Sequence, residues 1–141
     1  MNTAVSARRR LAVRVLFGCY LVVLAYLVFT PQPDDGSFGW MRRIIDWVAA
    51  RGIPLTFPVA EAVGNVLLFI PFGLLVGLLA GLRRWWLVWL AGSVTSAAIE
   101  TIQLVIPGRW TTLQDWILNT AGTGLGLAVL VLVRRRLRRT V

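Results

Sequence analysis

The sequence contains no histidine and no lysine, and these absences exclude a large part of enzyme chemistry. Without histidine there is neither an imidazole base nor a histidine metal ligand, and without lysine there is neither a Schiff base nor a P-loop lysine. All 15 basic residues are arginine. The six acidic residues are Asp34, Asp35, Asp46, Glu61, Glu100 and Asp115. Any catalysis must therefore use carboxylates, arginines or amides.

Cysteine is nearly absent as well, which excludes an internal disulfide. Cys19 is the single cysteine and lies among apolar residues without a basic neighbour, so we interpret it as an apolar filling residue. Apolar residues make up 57% of the chain and the mean hydropathy is +0.74, whereas ordinary soluble domains are roughly 45–50% apolar. The composition therefore predicts an integral membrane protein.

Four apolar segments have the length of about 20 residues that a membrane-spanning helix needs. They cover residues 11–29, 62–82, 85–106 and 115–133. We predict an all-α membrane protein with one four-span domain over residues 11–133, flanked by a basic N-terminus at 1–10 and a basic tail at 134–141. The first segment follows three arginines as a signal peptide would, but it lacks a small-residue cleavage pattern, so we expect it to be retained.

The arginines predict the orientation of these segments in the plasma membrane. Eleven of them flank one side, namely Arg8, Arg9, Arg10, Arg14, Arg83, Arg84, Arg134, Arg135, Arg136, Arg138 and Arg139. Four lie on the other side, namely Arg42, Arg43, Arg51 and Arg109. The positive-inside rule then places both termini in the cytoplasm. Because the basic residues cluster at segment ends, the net charge of +9 indicates anionic lipid contacts and not a nucleic-acid partner.

The first outer loop predicts a short amphipathic helix over about residues 38–50. Its apolar positions fall on one helical face and its charged positions on the other. The apolar positions are Trp40, Met41, Ile44, Ile45, Trp47 and Val48, and the charged ones are Arg42, Arg43 and Asp46. Ser37 or Asp35 could cap its start. Two interpretations stay open, a lid over the outer mouth of the bundle and a connector that rests on lipid.

Glycines recur at the four-residue spacing that allows helices to approach closely. They are Gly73, Gly77 and Gly81 in the second segment and Gly122 and Gly126 in the fourth. We interpret all five as helix-packing positions.

Polar residues in three segments predict a site at similar depth in the outer leaflet. The third segment carries Ser93, Ser96, Glu100 and Gln103 on one helical stripe, the fourth carries Asp115 and Asn119, and the second carries Glu61 and Asn65. Arg109 lies above them on a short loop. The inner halves of the spans lack ionisable groups, which favours a pocket open to the outer face over a channel. The alternative is that these residues only hold the helices together by hydrogen bonds.

The same residues resemble the motifs of VanZ-like membrane proteins over residues 61–128. The start of the second segment is similar to the family signature N-x-x-L-F-x-P-x-G, which it matches at Asn65, Leu68, Phe69, Pro71 and Gly73. The second half carries Glu100-x-x-Gln103, then Pro107-x-Arg109, then Asp115-x-x-x-Asn119-Thr120-x-Gly122-x-x-x-Gly126, which resembles the remaining family pattern. Their combination is more specific than any one of them.

The resemblance implies a cell-envelope protein of a family named for a protein associated with resistance to the glycopeptide teicoplanin. Some relatives are labelled phosphotransferases or phosphotransbutyrylases, which this sequence does not support because it has no phosphate-cradling loop. The family often places a second acid beside the motif aspartate, whereas Gln114 precedes Asp115 here. We therefore predict neither a metal site nor a cofactor.

Three functions remain open from the sequence. In the first, the polar pocket binds the headgroup of a membrane lipid or of a lipid-linked envelope precursor and thereby influences antibiotic susceptibility. The binding residues are Asn65, Glu100, Gln103, Arg109, Asp115 and Asn119, and those in a secondary role are Glu61, Ser93 and Ser96. In the second, Glu100 or Asp115 is the general base of a lipid-modifying enzyme. In the third, the protein is a membrane scaffold. The number of copies in an assembly stays undetermined.

Overall fold

The computed structural model describes residues 2–31, 39–109 and 111–139, and every regular element in those ranges is helical. The helices are α1 (Asn2–Phe29), α2 (Gly39–Ala49), α3 (Phe57–Ala80), α4 (Trp85–Gln103) and α5 (Leu113–Arg139), with a 3-10 turn at Leu82–Arg84 between α3 and α4. The all-α prediction is confirmed for this part of the chain. The residues predicted to cap α2, Asp35 and Ser37, lie outside the described residues.

Within the described ranges, three helices are long and apolar enough to cross a membrane. They are Ala7–Phe29 in α1, Phe57–Ala80 in α3 and Leu113–Arg139 in α5. Helix α4 has 19 residues but is not among these spans, because Ser93, Ser96, Glu100 and Gln103 make it less apolar. A membrane protein is therefore supported, while the fourth span stays a prediction.

Helices α3 and α5 form the most extensive contact of the fold and run in the same direction. Asn65 near the start of α3 contacts Asp115 near the start of α5, and Gly77 further along α3 faces Leu127 and Leu130 further along α5. Their contacts thus advance together along both helices. Two parallel helices that are neighbours in the fold need a return segment between them, and α4 supplies it.

Helix α4 packs against α5 in the opposite direction. Ser96 lies beside Asn119, whereas the earlier Gly92 lies beside the later Thr123. Helix α1 is antiparallel to α3, since the Tyr20 hydroxyl donates to the Leu68 carbonyl at 2.9 Å while the earlier Phe17 ring contacts the later Phe72 ring. The structure is therefore an up-and-down bundle in which α3 and α5 are central.

Glycines allow the close approach of α3 and α5. A Cβ added at Gly73 would overlap the Thr123 carbonyl, and one at Gly126 would overlap the Ile70 carbonyl. Gly122 similarly faces the backbone of α3, and Gly77 faces leucine side chains of α5. Because the opposing atoms are largely backbone, larger residues would separate the helices.

Gly81 has a different role from the packing that its spacing predicts. It ends α3 with a positive φ of 82°, and nothing lies within 4 Å of an added Cβ. Glycine adopts this left-handed conformation without the steric penalty of other residues. The tight turn into α4 depends on that freedom and not on helix packing.

Helix α2 forms where the alternation of charged and apolar residues predicts it. Ile45 and Val48 are half-buried, whereas Ile44 and Trp47 remain exposed. The Arg51 guanidinium stacks over the Trp47 indole at 3.2 Å from the ring centroid and donates to the Trp47 carbonyl at 2.6 Å. This pair fixes the end of α2. The location of the helix at a membrane surface stays a prediction.

Candidate functional site

The sequence-predicted site residues gather at one end of the bundle, where α1 and α4 end and α3 and α5 begin. We call this region the polar end. It includes Glu61, Asn65, Glu100, Arg109 and Asp115, which come from three helices and one loop. Short connections between the helices hold these residues together.

Asp115 belongs to a local cap at the start of α5. Its carboxylate accepts a hydrogen bond from the Thr112 hydroxyl at 2.8 Å, and its backbone N–H donates to the same hydroxyl oxygen at 3.1 Å. This reciprocal arrangement resembles a capping box, in which a threonine and an acid three residues later bond each other across the first turn. Asn65 donates to the other carboxylate oxygen and thereby ties α3 to α5. Asp115 therefore has partners on both oxygens.

Glu100 lies on the last turn of α4 and faces an open cleft of about 480 Å³. The cleft is lined by Ala97, Glu100, Thr111, Thr112, Leu113 and Trp116. The Thr112 backbone N–H hydrogen-bonds the Glu100 carboxylate. The other carboxylate oxygen, Oε2, is buried and has no hydrogen-bond partner among the described residues. Of the acids at the polar end, Glu100 alone lines the cleft.

Gln103 and Arg109 hold the end of α1. Gln103 is buried and its side-chain amide donates to the Val28 carbonyl at 2.7 Å. The Arg109 guanidinium donates to the Thr30 carbonyl at 3.2 Å through Nε and to the Leu27 carbonyl through Nη2. The last turn of a helix leaves carbonyls without intrahelical partners, and a cation there also interacts favourably with the helix dipole. Both residues therefore cap α1.

Arg109 also faces carboxylates. Burial lowers the pKa of its guanidinium from the ordinary value, while the nearby Glu61 and Glu100 carboxylates act in the opposite direction. Arginine nevertheless stays charged throughout the physiological range. Asp115 is close enough to affect both glutamates. The polar end thus holds three carboxylates around one arginine.

A second polar layer lies one helical turn deeper. Asn119, only 4% exposed, donates from Nδ2 to the Ser96 hydroxyl at 2.9 Å, while its Oδ1 has no partner within the described residues. Thr123, fully buried, donates its hydroxyl to the Asn119 carbonyl at 3.2 Å and fills the space beside Gly92. Ser93 contributes its backbone carbonyl, which accepts the Trp116 indole N–H at 3.1 Å. These contacts hold α4 against α5.

The family model described as VanZ/LLP1 matches residues 17–134. This match covers most of the chain and confirms the resemblance. The chain belongs to the VanZ/LLP1 family. Comparison with curated proteins and with solved structures gave no significant match.

The motifs that resemble the family serve different contacts in this fold. Asn65 and Asp115 join α3 to α5, whereas Gln103 and Arg109 join α4 and its following loop to α1. Glu100 alone lines the cleft. The VanZ/LLP1 match also includes α1 from residue 17 onward, beyond the span of the quoted motifs. That extension is consistent with the contacts that the motif residues make to the end of α1.

Sequence reasoning missed the residues that form the opposite side of the cleft. Thr111, Thr112 and Leu113 line it, and so does Trp116. The spacing Thr112-x-x-Asp115 carries a capping signal that could have identified Thr112. No comparable pattern predicts the contribution of Thr111 or Leu113, because it depends on how the loop folds over α4.

The carboxylates of the polar end are not arranged as a metal site. No group of three cysteine, aspartate or glutamate side chains in the described part of the chain has the geometry to hold a metal ion. The cleft offers hydrogen bonding and charge from Glu100 and the threonines, and an aromatic surface from Trp116.

Proposed function

We propose that this VanZ/LLP1 protein is a four-span plasma-membrane protein whose cleft binds the headgroup of a membrane lipid or of a lipid-linked envelope precursor. In this proposal the polar end lies in the outer leaflet and both termini lie in the cytoplasm. Through this binding the protein changes the susceptibility of the cell to glycopeptide antibiotics of the teicoplanin type. Three independent observations support the fourth span, the orientation and headgroup binding, while the antibiotic part extends what the family resemblance implies.

The direction of the helices supports the fourth span. Helices α3 and α5 both meet the composition of a span and run parallel, so the chain must return across the same thickness between them. Helix α4 is that return segment. Its 19 residues correspond to roughly 28 Å at 1.5 Å per residue, close to the ~30 Å of hydrocarbon in a bilayer. Its buried polar residues Ser96 and Gln103 then face α5 and α1 and not lipid.

The distribution of arginines along the bundle supports the orientation. The bundle end opposite the polar end carries Arg83 and Arg84 in the turn and the arginines near the beginning of α1 and the end of α5. On the side of the polar end the sequence has four arginines, Arg109 in the loop after α4 and Arg42, Arg43 and Arg51 in and after α2. Because cytoplasmic loops are enriched in arginine, this asymmetry favours an outer polar end.

Glu100 is the observation that carries the binding proposal. Its carboxylate lies at the wall of the cleft, and a buried carboxylate oxygen without a donor is energetically costly, by several kcal/mol in apolar surroundings. A bound headgroup with hydroxyl or amine donors would supply the missing hydrogen bond. Asp115, Asn65, Gln103 and Arg109 position the helices around the cleft.

Native mass spectrometry of the protein purified from its membrane tests the proposal. We expect a co-purified lipid that is lost from Glu100→Gln, because the neutral amide removes the charge and one acceptor. Asp46→Asn on α2 is the matched control, since it removes the same charge from an exposed position outside the cleft. Equal lipid retention by all three proteins would contradict the proposal.

Teicoplanin susceptibility tests the second part of the proposal in a susceptible host that produces the wild-type protein. We expect the change in inhibitory concentration to disappear with Glu100→Gln and to persist with Asp46→Asn at equal protein levels. No change with the wild-type protein would remove the antibiotic part while leaving headgroup binding intact.

A lipid-modifying enzyme is the second candidate function, and the same glutamate favours it. Glu100 has an oxygen that no described donor occupies, as a general base requires, whereas Asp115 is engaged by Asn65 and Thr112. Comparing lipid profiles of cells with and without the protein distinguishes the two functions. A new lipid species dependent on Glu100 indicates an enzyme, and unchanged species indicate a binding protein.

A further inference from the structure

We infer that the headgroup bound in the cleft carries a primary ammonium group, which Glu100 binds by hydrogen bonds beside the indole ring of Trp116. This inference rests on the proposed function and names the chemical class of its ligand.

The charge at the polar end favours a cation. Glu61, Glu100 and Asp115 lie close enough to influence one another, and Arg109 is the cation that faces them. Arg109 directs Nε and Nη2 toward carbonyls at the end of α1 and so is held away from the role of a free anion receptor. Among the described groups that interact here, three carboxyl groups face the Arg109 guanidinium, an arrangement that favours an entering cation over an entering anion. An anionic group entering the cleft would meet repulsion, and an ammonium group attraction.

The unpaired hydrogen-bond acceptor in the cleft also favours a ligand with an ammonium group. Glu100 Oε2 is a buried acceptor for which the described residues provide no donor. A phosphate ester brings acceptors and would leave this demand unmet. A primary ammonium brings three donors, whereas a quaternary ammonium brings none.

Trp116 provides the aromatic surface that such a cation uses. It lines the same cleft as Glu100, and its indole N–H is bonded to the Ser93 carbonyl at 3.1 Å, which fixes the orientation of the ring. Tryptophan is the most favourable ring for cation–π contacts. Ala97 and Leu113 complete the wall with apolar surface. A carboxylate and an indole in one cleft therefore match an amine and not an anion.

Binding of short-chain lipids to the full-length protein in detergent tests this inference. The probes are dioctanoyl phosphatidylethanolamine, its N-acetylated derivative, which lacks the ammonium, and dioctanoyl phosphatidylglycerol. Native mass spectrometry gives the bound fraction of each. We expect phosphatidylethanolamine to bind at least about tenfold more tightly than the other two, because it alone brings an ammonium group that can donate charge-assisted hydrogen bonds to Glu100.

Substitutions then assign the preference to the two side chains. Glu100→Gln and Trp116→Leu should reduce the preference to less than about threefold, Trp116→Phe should retain part of it, and Asp46→Asn should leave it unchanged. Circular dichroism of each variant establishes that the helices are intact. The conservative Trp116→Phe variant keeps the test decisive if Trp116→Leu fails to fold.

The outcomes separate this inference from the proposed function. Equal binding of the three lipids, or tighter binding of phosphatidylglycerol, would overturn the ammonium inference while leaving headgroup binding in place. Absence of binding by all three lipids, together with no co-purified lipid, would overturn both. A preference for phosphatidylethanolamine that survives Glu100→Gln and Trp116→Leu would show that this cleft is not its source.

Discussion

At the scale of single residues, most polar side chains of the polar end have hydrogen-bond partners within the protein, whereas Glu100 has a carboxylate oxygen without one among the described residues. Asp115 accepts hydrogen bonds from Asn65 and Thr112, and Gln103 donates to a carbonyl of α1. Interhelical hydrogen bonds of this kind account for structure without requiring a ligand. Glu100 differs, because one of its oxygens is buried without a described donor at the wall of a cleft. The structural and the binding interpretations therefore apply to different residues of the same motif set.

The Thr112 cap gives a prediction at this scale. Thr112→Val removes the hydroxyl that bonds Asp115 in both directions, and we expect the free energy of unfolding to fall by about 1 kcal/mol, as for other lost N-caps. Thermal or denaturant unfolding in detergent measures the change. Thr56→Val is the matched control, because Thr56 is the N-cap of α3 but its side chain makes no capping bond. Equal destabilisation by both variants would show that the Thr112 cap contributes nothing specific.

Sequence spacing predicted the helical faces of these residues but not their partners. The separation of Glu100 and Gln103 by three places them on one stripe of α4. In the fold Gln103 reaches the carbonyl of Val28, 75 positions earlier in the chain, while Glu100 faces the loop before α5. A helical period fixes which face a residue occupies. It does not predict which helix packs against that face, because this depends on how the whole bundle packs.

At the scale of elements, the central contact is the parallel pair α3 and α5, whose backbones approach at glycines. Gly73 opposes the backbone of Thr123, and Gly126 opposes the backbone of Ile70. The same spacing also included Gly81, which instead ends α3 in a left-handed conformation. A four-residue repeat continues past the helix end as easily as within it, so spacing alone did not distinguish a packing glycine from a capping one.

Alanine substitutions at two glycines of α3 test this contact. Gly73→Ala should destabilise the protein by about 1–3 kcal/mol, the usual cost of overpacking, because the new methyl group meets backbone that cannot rotate away. Gly64→Ala is the matched control in the same helix, since nothing lies within 4 Å of an added Cβ there. That control should be neutral or slightly stabilising, as alanine favours helix. Unfolding midpoints in detergent compare the two. Similar midpoints for both would contradict the close approach of α3 to α5.

At the scale of the whole molecule, membrane insertion follows from composition, whereas the path of the chain through the bilayer follows from helix direction. Helices α1, α3 and α5 are apolar enough to be recognised as spans one by one. Helix α4 is not, because it contains several polar residues. Their side chains contact α5 and the end of α1. Its proposed crossing depends on the parallel arrangement of α3 and α5, which is a property of the assembled bundle.

Cysteine accessibility in intact cells tests this topology. In a Cys19→Ser background, Gly108→Cys in the loop after α4 should react with a membrane-impermeant maleimide added outside, because that loop belongs to the polar end. Arg83→Cys in the turn before α4 should react only after the cells are opened. Labelling of both sites from the same side would show that α4 does not cross the membrane, and labelling of Arg83→Cys alone from outside would reverse the proposed orientation.

The sequence by itself determined that this is an all-helical membrane protein of the VanZ/LLP1 family, since apolar content, segment length and motif spacing are local properties of the chain. Only the tertiary structure decided that Gln103 and Arg109 cap α1, that Asn65 and Asp115 join two helices, and that Glu100 shares a cleft with Trp116. Each of these contacts joins positions far apart in the chain or depends on the fold of a loop. The residue types fix what a side chain can donate or accept, and packing selects the partner.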